Sequence, residues 1–180
     1  MKKTSLSILL IVALGLVMLS ACGGGGSSST PPPPFQPTTA ILTLSTAVTT
    51  TFPLTTTINS YDATITLPAG VTVKTMPSSS ATGTGVVTAS GKALGAVING
   101  VYTAATGTFP GTVKVYVYSA TGFAAGEFCK VTANIASGSP TVSSFVPLIL
   151  DDATGIDTNT ISTVLGLEGN LSLSATASIY

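Results

Sequence analysis

An apolar side chain at every second position is the feature that most constrains what this chain can fold into. The pattern runs through residues 61–67, 113–117, 129–135 and 171–179, where the intervening side chains are mostly hydroxyls, with a few charged, amide or Tyr side chains. Successive side chains of a β-strand point to opposite faces, so the alternation places one face against a core and the other in water. It predicts half-buried strands of antiparallel sheets.

Shorter apolar runs and regularly spaced turn signals extend this pattern along the chain. The runs lie at residues 41–44, 71–73, 86–88, 97–102 and 142–150. The turn signals that separate the predicted strands are Pro68-Ala69-Gly70, Ser90-Gly91, Asn99-Gly100, Pro110-Gly111, Thr121-Gly122, Ser137-Gly138 and Thr154-Gly155. A spacing of about 8–12 residues is typical of a β-sandwich, and no segment longer than a turn or two has a helical pattern. We therefore predict one all-β, antiparallel β-sandwich domain over residues 39–180.

The charged residues exclude several classes of function. The 180 residues include six Lys, six acids, no His and no Arg. A nucleic-acid partner requires clustered Lys and Arg to neutralise phosphates, so we expect none. Catalysis by a His base and metal binding by His are excluded outright. Thr and Ser together number 52, so hydroxyl groups must cover the surface that charges cover in most proteins.

The first residues have the composition of a bacterial export signal. Lys2 and Lys3 precede a stretch of about 14 mostly apolar residues, 6–19, which is short for a bilayer span of about 20. The stretch ends in Leu19-Ser20-Ala21-Cys22, which resembles the lipobox of bacterial lipoproteins. The resemblance implies a signal peptide over residues 1–21, cleavage before Cys22 and diacylglycerol on its thiol. An ordinary signal peptide with a chance Cys at its end is the alternative.

Residues 22–38 contain the lipidated Cys followed by a Gly/Ser-rich and then a Pro-rich stretch. Such a composition predicts a spacer that holds a domain on the order of 50 Å from the membrane at most. Among lipoproteins of enteric bacteria, an Asp after the Cys marks retention at the inner membrane, and this chain has Gly23 there. The resemblance therefore implies an outer-membrane lipoprotein, on its periplasmic or cell-surface face, whose membrane contact is the lipid anchor.

Two stretches of the predicted domain resemble cohesins. In the first, Ser60-Tyr61-Asp62 opens an alternating strand that turns at Pro68-Ala69-Gly70 into a second, Val-rich strand. In the second, residues 113–119 lead through the Gly-rich segment 122–126 into the long apolar strand 127–135. The resemblance implies a jelly-roll β-sandwich of about nine strands, a fold that cohesins share with carbohydrate-binding modules. It also implies a non-catalytic domain that holds a polysaccharide or a protein partner.

Lys114, Tyr116 and Tyr118 are the candidate ligand-binding residues. They alternate with three valines, so they share the outer face of their strand if the valines face the core. Two exposed tyrosine rings about 7 Å apart along a strand can stack on sugar rings, while their hydroxyl groups form hydrogen bonds. The alternative is a cross-strand aromatic pair that only stabilises the sheet.

Three acids near the end of the chain form a candidate metal site. Asp151, Asp152 and Asp157 lie with Asn159 around Gly155, and such oxygen ligands suit Ca²⁺. Their order does not match an EF-hand loop, so a polar surface turn is the alternative, and we expect no cofactor.

Cys129 and Glu127 are the two remaining candidates for reactive groups. Cys129 lies on the apolar side of its strand, which predicts a buried thiol, with a disulfide between two chains as the alternative. Glu127 has no second carboxylate in a recognisable pattern, so we expect no glycosidase and no enzyme.

The sequence therefore predicts an envelope lipoprotein that presents a binding module for polysaccharide or a protein partner. The alternative is a structural subunit of a cell-envelope or surface complex, whose exposed sheet edges pair with neighbouring molecules.

The Cys22→Ala variant tests the predicted anchor. Without the thiol no diacylglycerol can be attached, so we expect the variant to move from the membrane pellet to the soluble fraction after cell fractionation. A variant that stays in the membrane as firmly as the wild type would contradict the lipobox interpretation.

Overall fold

The computed structural model describes residues 36–50 and 56–180, within the compact unit Gln36–Tyr180. The described strands are β1 (Thr39–Val48), β2 (Thr56–Thr66), β3 (Val71–Thr72), β4 (Val87–Ala89), β5 (Val97–Thr103), β6 (Thr112–Phe123), β7 (Glu127–Ile135), β8 (Leu148–Asp157), β9 (Ser162–Val164) and β10 (Leu171–Ile179). Three 3₁₀ turns, at Gly91–Ala93, Val142–Ser144 and Leu167–Asn170, connect some of them. The predicted signal peptide, Cys22 and nearly all of the predicted spacer lie outside the described residues.

The strands form two antiparallel sheets. Sheet A has the order β10-β1-β7-β3, and β4 pairs with β7 beside β3. Sheet B has the order β5-β6-β2-β8-β9. The all-β, antiparallel prediction is confirmed, and the described residues contain ten strands where the family resemblance implied about nine.

The predicted alternation determines which side of each sheet is buried. In β2 the residues Tyr61, Ala63 and Ile65 are fully buried, and the polar residues between them are half-buried. The valines of β6 and the residues Cys129 and Val131 of β7 are buried in the same way. The inner faces of the two sheets thus share one apolar core, as in a β-sandwich.

A buried hydrogen bond joins the two sheets inside this core. The hydroxyl groups of Tyr61 in sheet B and Thr46 in sheet A are 2.7 Å apart. The Tyr61 ring packs against Phe128 and Phe123, with centroid distances of 4.7 and 5.2 Å and tilted planes. Such tilted contacts are favourable for aromatic rings, and the hydrogen bond supplies the partner that a buried hydroxyl group requires.

Three of the predicted turn signals lie inside strands instead. Gly100 is within β5, Gly122 within β6 and Gly155 within β8. A Cβ atom at Gly100 would lie 2.7 Å from Thr82 Oγ1, so this glycine permits close packing and does not mark a turn. Gly122 has a φ of 74°, beside an irregularity in the pairing of β2 with β6.

The apolar run at residues 142–150 is also not one strand. Its first part forms the 3₁₀ turn Val142–Ser144, whose Thr141 and Ser144 side chains each bond to the backbone of the other. Strand β8 begins only after Pro147, which has no N–H group to donate to a sheet. Phe145, between the two elements, is 1% exposed and anchors the connection in the core.

Cys129 is fully buried on the inner face of β7, as its position in the apolar alternation predicts. Burial raises the pKa of its thiol, and the nearby Glu127 carboxylate adds to this shift. A thiol held in its neutral form in the core behaves as a small apolar side chain.

The Tyr61→Phe variant tests the bond between the sheets. Burial raises the pKa of Tyr61 to about 12, from 10 in the unfolded chain. As the pH rises, the unfolded state therefore releases this proton before the folded state does. The contribution of Tyr61 to the stability of the wild type should be fully present below about pH 9 and should be lost as the pH rises towards 12. At pH 7 we expect Tyr61→Phe to lower the free energy of unfolding by about 1–2 kcal/mol, because the Thr46 hydroxyl then keeps only its longer contacts with the Gly126 backbone.

At pH 12 the wild type should be about as stable as Tyr61→Phe, or less stable. The reason is that ionisation of Tyr61 lowers the free energy of unfolding of the wild type by up to roughly 3 kcal/mol. Urea unfolding followed by circular dichroism between pH 7 and 12 measures both effects. The surface variant Tyr180→Phe is the control and should unfold as the wild type does at pH 7. A constant difference between Tyr61→Phe and the wild type over the whole pH range would contradict this role of Tyr61.

Candidate functional site

Strand β6 places the predicted binding residues on the outer surface of the sandwich. Its valines, Val113, Val115 and Val117, are buried in the core. Since successive residues point to opposite faces, Tyr116 and Tyr118 point outwards, with 37% and 52% of their surface exposed. The valines of β6 therefore face the core, and both tyrosine rings are accessible to a ligand.

The register of the strands builds a continuous surface around the two tyrosines, which we call the outer face of sheet B. It consists of three rows of paired residues that run across β5, β6, β2 and β8. The rows are Val97–Tyr118–Ser60–Thr154, Asn99–Tyr116–Asp62–Asp152 and Val101–Lys114–Thr64–Ile149. The surface combines two aromatic rings and exposed apolar side chains with hydroxyl, amide and carboxylate groups.

Lys114 is held at the centre of this surface by two carboxylates. Its Nζ atom lies 3.6 Å from an Asp151 oxygen and 3.9 Å from an Asp62 oxygen. The Thr64 hydroxyl donates a hydrogen bond of 2.6 Å to Asp151. The same Nζ atom lies 5.3 Å from the centre of the Tyr116 ring, within the range of a cation–π contact.

The pKa of the Asp62 carboxyl group is shifted by its surroundings on this surface. Burial raises its pKa most, the positive charge of Lys114 lowers it, and the carboxylates of Asp152 and Asp151 raise it again. Lys114 thus offsets the repulsion among three acids that the fold gathers around it. These contacts orient its side chain and the neighbouring Tyr116 ring before any ligand binds.

The first row, Val97–Tyr118–Ser60–Thr154, adds a hydrogen-bond network beside Tyr118. The Ser60 and Thr154 hydroxyl groups are 2.6 Å apart, and the Thr154 hydroxyl donates to the Asn59 side-chain oxygen at a distance of 2.6 Å. Such linked hydroxyl groups form a polar border to the ring of Tyr118. The arrangement offers flat apolar surfaces with donors and acceptors at their edges.

The structure divides the three acids of the predicted metal site. Asp151 contacts Lys114, and Asp152 lies opposite Asp62 in the pairing of β2 with β8. An Asp157 oxygen accepts the backbone N–H groups of Asn159 and Thr160, at 2.8 and 3.3 Å. This is the arrangement of a polar turn. Within residues 36–50 and 56–180 no group of three His, Cys, Asp or Glu side chains is placed to hold a metal ion.

Glu127 lies at the beginning of β7, and one of its carboxylate oxygens is 3.7 Å from Nζ of Lys130. The pair lies on sheet A, away from the outer face of sheet B. It is a half-exposed ion pair of the kind that contributes little to stability.

An open cleft of about 480 Å³ lies at one end of the sandwich, between the turn after β2 and the loop before β6. Tyr102, Phe109 and Pro110 supply apolar surface, and none of the described side chains that line it carries a charge. Ligand sites usually combine apolar walls with a few polar groups that fix orientation. The outer face of sheet B has both features and is the better candidate.

Sequence reasoning missed Asp62, Thr64 and Asn99 as members of this surface. Each occupies an outward position of its own strand, which the alternation does indicate. What the sequence could not supply is the register that places Asp62 opposite Tyr116. The sequence pattern predicts Asp151 as a metal ligand, whereas in the structure its carboxylate contacts Lys114.

Comparison of the chain with models of protein families, with curated proteins and with solved structures finds no match. In the part of the chain that the structure describes, no helix has the length and apolar character needed to cross a bilayer.

Proposed function

We propose that this chain is an envelope lipoprotein whose β-sandwich is a non-catalytic, cohesin-like module that binds polysaccharide through the outer face of sheet B. Cys22 anchors the protein in the outer membrane, and the Gly-, Ser- and Pro-rich segment behind it extends the reach of the domain. The observation that carries the proposal is the pair of exposed rings, Tyr116 and Tyr118, on one face of one strand.

The geometry of the two rings supports sugar as the ligand. They are two residues apart on one strand, a separation of about 7 Å. Successive sugar units of a polysaccharide present C–H faces that pack on aromatic rings, and their hydroxyl groups need partners at the border of the contact. Asp62, Asn99 and Ser60 lie beside the rings in the register and can supply those partners.

The charges of the surface support binding rather than catalysis. Hydrolysis of a glycosidic bond uses one carboxyl group as an acid and a second as a nucleophile or base. Here Asp62 and Asp151 both contact the same side chain, Lys114, which holds the two carboxyl groups in place beside the rings. A neutral polysaccharide also fits a chain with so few charges, because no strong electrostatic attraction is needed.

A structural subunit of an envelope complex is the second candidate function. The observation that favours it is the edge of β10, which within the described chain pairs only with β1. The two functions use different parts of the molecule, the outer face of sheet B and one edge of sheet A, so they can be tested separately.

A binding assay with insoluble polysaccharides tests the proposed function. The full chain, extracted in a mild non-ionic detergent, is incubated with a panel of envelope and insoluble polysaccharides and then sedimented. We expect the double variant Tyr116→Ala/Tyr118→Ala to bind about tenfold more weakly than the wild type, since each lost ring contact costs about 0.5–1.5 kcal/mol.

The matched control is Phe109→Ala/Tyr180→Ala, which removes two rings elsewhere on the domain that are more exposed than Tyr116 and Tyr118. It should bind as the wild type does, and all variants should have the circular dichroism spectrum of a folded β-protein. Equal binding by both double variants would refute the assignment to sheet B. Failure of the wild type to bind any polysaccharide would favour a protein partner instead.

A further inference from the structure

The four sheet edges of the sandwich are not equally protected. Strands β3, β4 and β9 have only two or three residues each, and short strands make poor templates for pairing. The edge of β5 is covered by a neighbouring segment, since Tyr102 N–H donates to Ser80 O and Thr82 N–H donates to Gly100 O. Strand β10 has nine residues and, within the described chain, pairs only with β1.

The backbone of β10 directs unpaired groups outwards. Thr39 and Tyr180 exchange both of their backbone hydrogen bonds, at 3.1 and 2.9 Å. Hydrogen bonding alternates along an antiparallel pair, so the Ser and Thr residues of β10 point their backbone groups at β1 and the apolar residues point theirs away. The residues whose backbone groups point away from β1 are Leu173, Ala175, Ala177 and Ile179. The described residues provide no backbone partner for these groups.

The usual devices that block an edge are missing from β10. The strand contains no Pro and no charged residue, and its register with β1 runs without a bulge from Ala40 to Val48. Strand β8 and the 3₁₀ turns Val142–Ser144 and Leu167–Asn170 approach it. The only backbone hydrogen bond between these elements and β10 is the one that the Leu171 N–H donates to Glu168 O. An open, regular and uncharged edge of this length favours pairing with another strand.

We propose that β10 pairs antiparallel with β10 of a second copy of this chain, about a two-fold axis at Ala175. This register places Leu171 opposite Ile179 and Leu173 opposite Ala177 on the inner side. On the outer side it places Ser172 opposite Ser178 and Ser174 opposite Thr176. Apolar side chains therefore meet apolar ones and hydroxyl groups meet hydroxyl groups, which is the self-complementarity that a two-fold interface requires.

Exposed apolar side chains at both ends of β10 support a second copy as the occupant. Near the Leu171 end, Ile161 and Leu165 beside β9 are 83% and 74% exposed. Near the Ile179 end, the loop between β7 and β8 exposes Val142 and Val146. The two-fold axis brings the Leu171 end of one strand beside the Ile179 end of the other. Ile161 and Leu165 of one copy then lie at the same end of the interface as Val142 and Val146 of the other copy.

The pairing would join two copies of sheet A into one continuous sheet. Opposed residues of an antiparallel pair point to the same side, so both copies of sheet B would lie on one side of the joined sheet. If the proposed function is right, the dimer presents two binding surfaces in the same direction, which increases avidity for a repeating polymer. The pairing itself does not depend on that function.

Disulfide crosslinking of the full chain tests the pairing and its register. Two differently tagged copies are produced in the same cells, one with Ser174→Cys and the other with Thr176→Cys. In the proposed register these residues form a pair without backbone hydrogen bonds, with Cα atoms about 4.5 Å apart, and this separation allows a disulfide. After mild oxidation, a non-reducing gel should show a mixed dimer at least fivefold more abundant than with either variant alone.

The offset combination of Ser174→Cys with Ser178→Cys is the matched control and should crosslink no better than the single variants. The wild type controls for Cys22 and Cys129. Adding Ala175→Pro to both copies should abolish the mixed dimer, because proline has no N–H group to donate to the partner copy. The substitution removes no N–H group that β10 donates to β1. If Ala175→Pro lowers the melting temperature strongly, Ala177→Pro is used instead. Absence of the mixed dimer, equal crosslinking in all combinations, or a disulfide to a different protein would each overturn the proposal.

Discussion

The hydrogen bond between Tyr61 and Thr46 is the contact on which the rest of the sandwich depends. It joins the two sheets inside the core, near the connection between β6 and β7, where the Tyr61 ring also packs against two phenylalanines. A buried hydroxyl group without a partner would be costly, so the bond restricts how the sheets can slide over each other. Because side chains alternate along a strand, fixing Tyr61 inwards fixes Asp62 outwards.

The same restriction extends from β2 to the proposed binding surface. Asp62 lies opposite Tyr116 in β6, and Thr64 lies opposite Lys114. A shift of one residue would exchange the buried valines of β6 with its exposed tyrosines and lysine. The core and the surface of sheet B are therefore two consequences of one register, and the apolar core maintains the arrangement of the outer groups.

The two outer faces of the sandwich differ in chemistry. Sheet A presents mainly hydroxyl groups, for example Thr43 opposite Thr176, with the ion pair of Glu127 and Lys130 as charges. Sheet B presents the two strand-borne tyrosine rings that are exposed in the described chain, with an organised group of charges beside them. This difference explains why we assign ligand binding to sheet B, while the open β10 edge of sheet A remains available for assembly.

Much of the fold, and part of the site, could be predicted from the sequence. The apolar alternation correctly placed Tyr61, Val115 and Cys129 in the core, and Tyr116 outside it. Glycine was a weaker guide, because Gly100 serves close packing within a strand and the sequence cannot distinguish this use from a turn. Contacts between distant segments, such as Lys114 with Asp151, depend on register and on the irregular pairing of β2 with β8, which no local pattern encodes.

Fluorine NMR of the full chain labelled with 3-fluorotyrosine tests the central claim most directly. The chain has five tyrosines, and single Tyr→Phe variants assign their signals. The titrant is a soluble oligosaccharide cut from a polysaccharide that the wild type binds in the sedimentation assay. It should shift the Tyr116 and Tyr118 signals and leave those of the buried Tyr61 and the distant Tyr180 in place. Saturable binding that shifts other tyrosines, or no shift of any signal, would contradict a polysaccharide site on the outer face of sheet B.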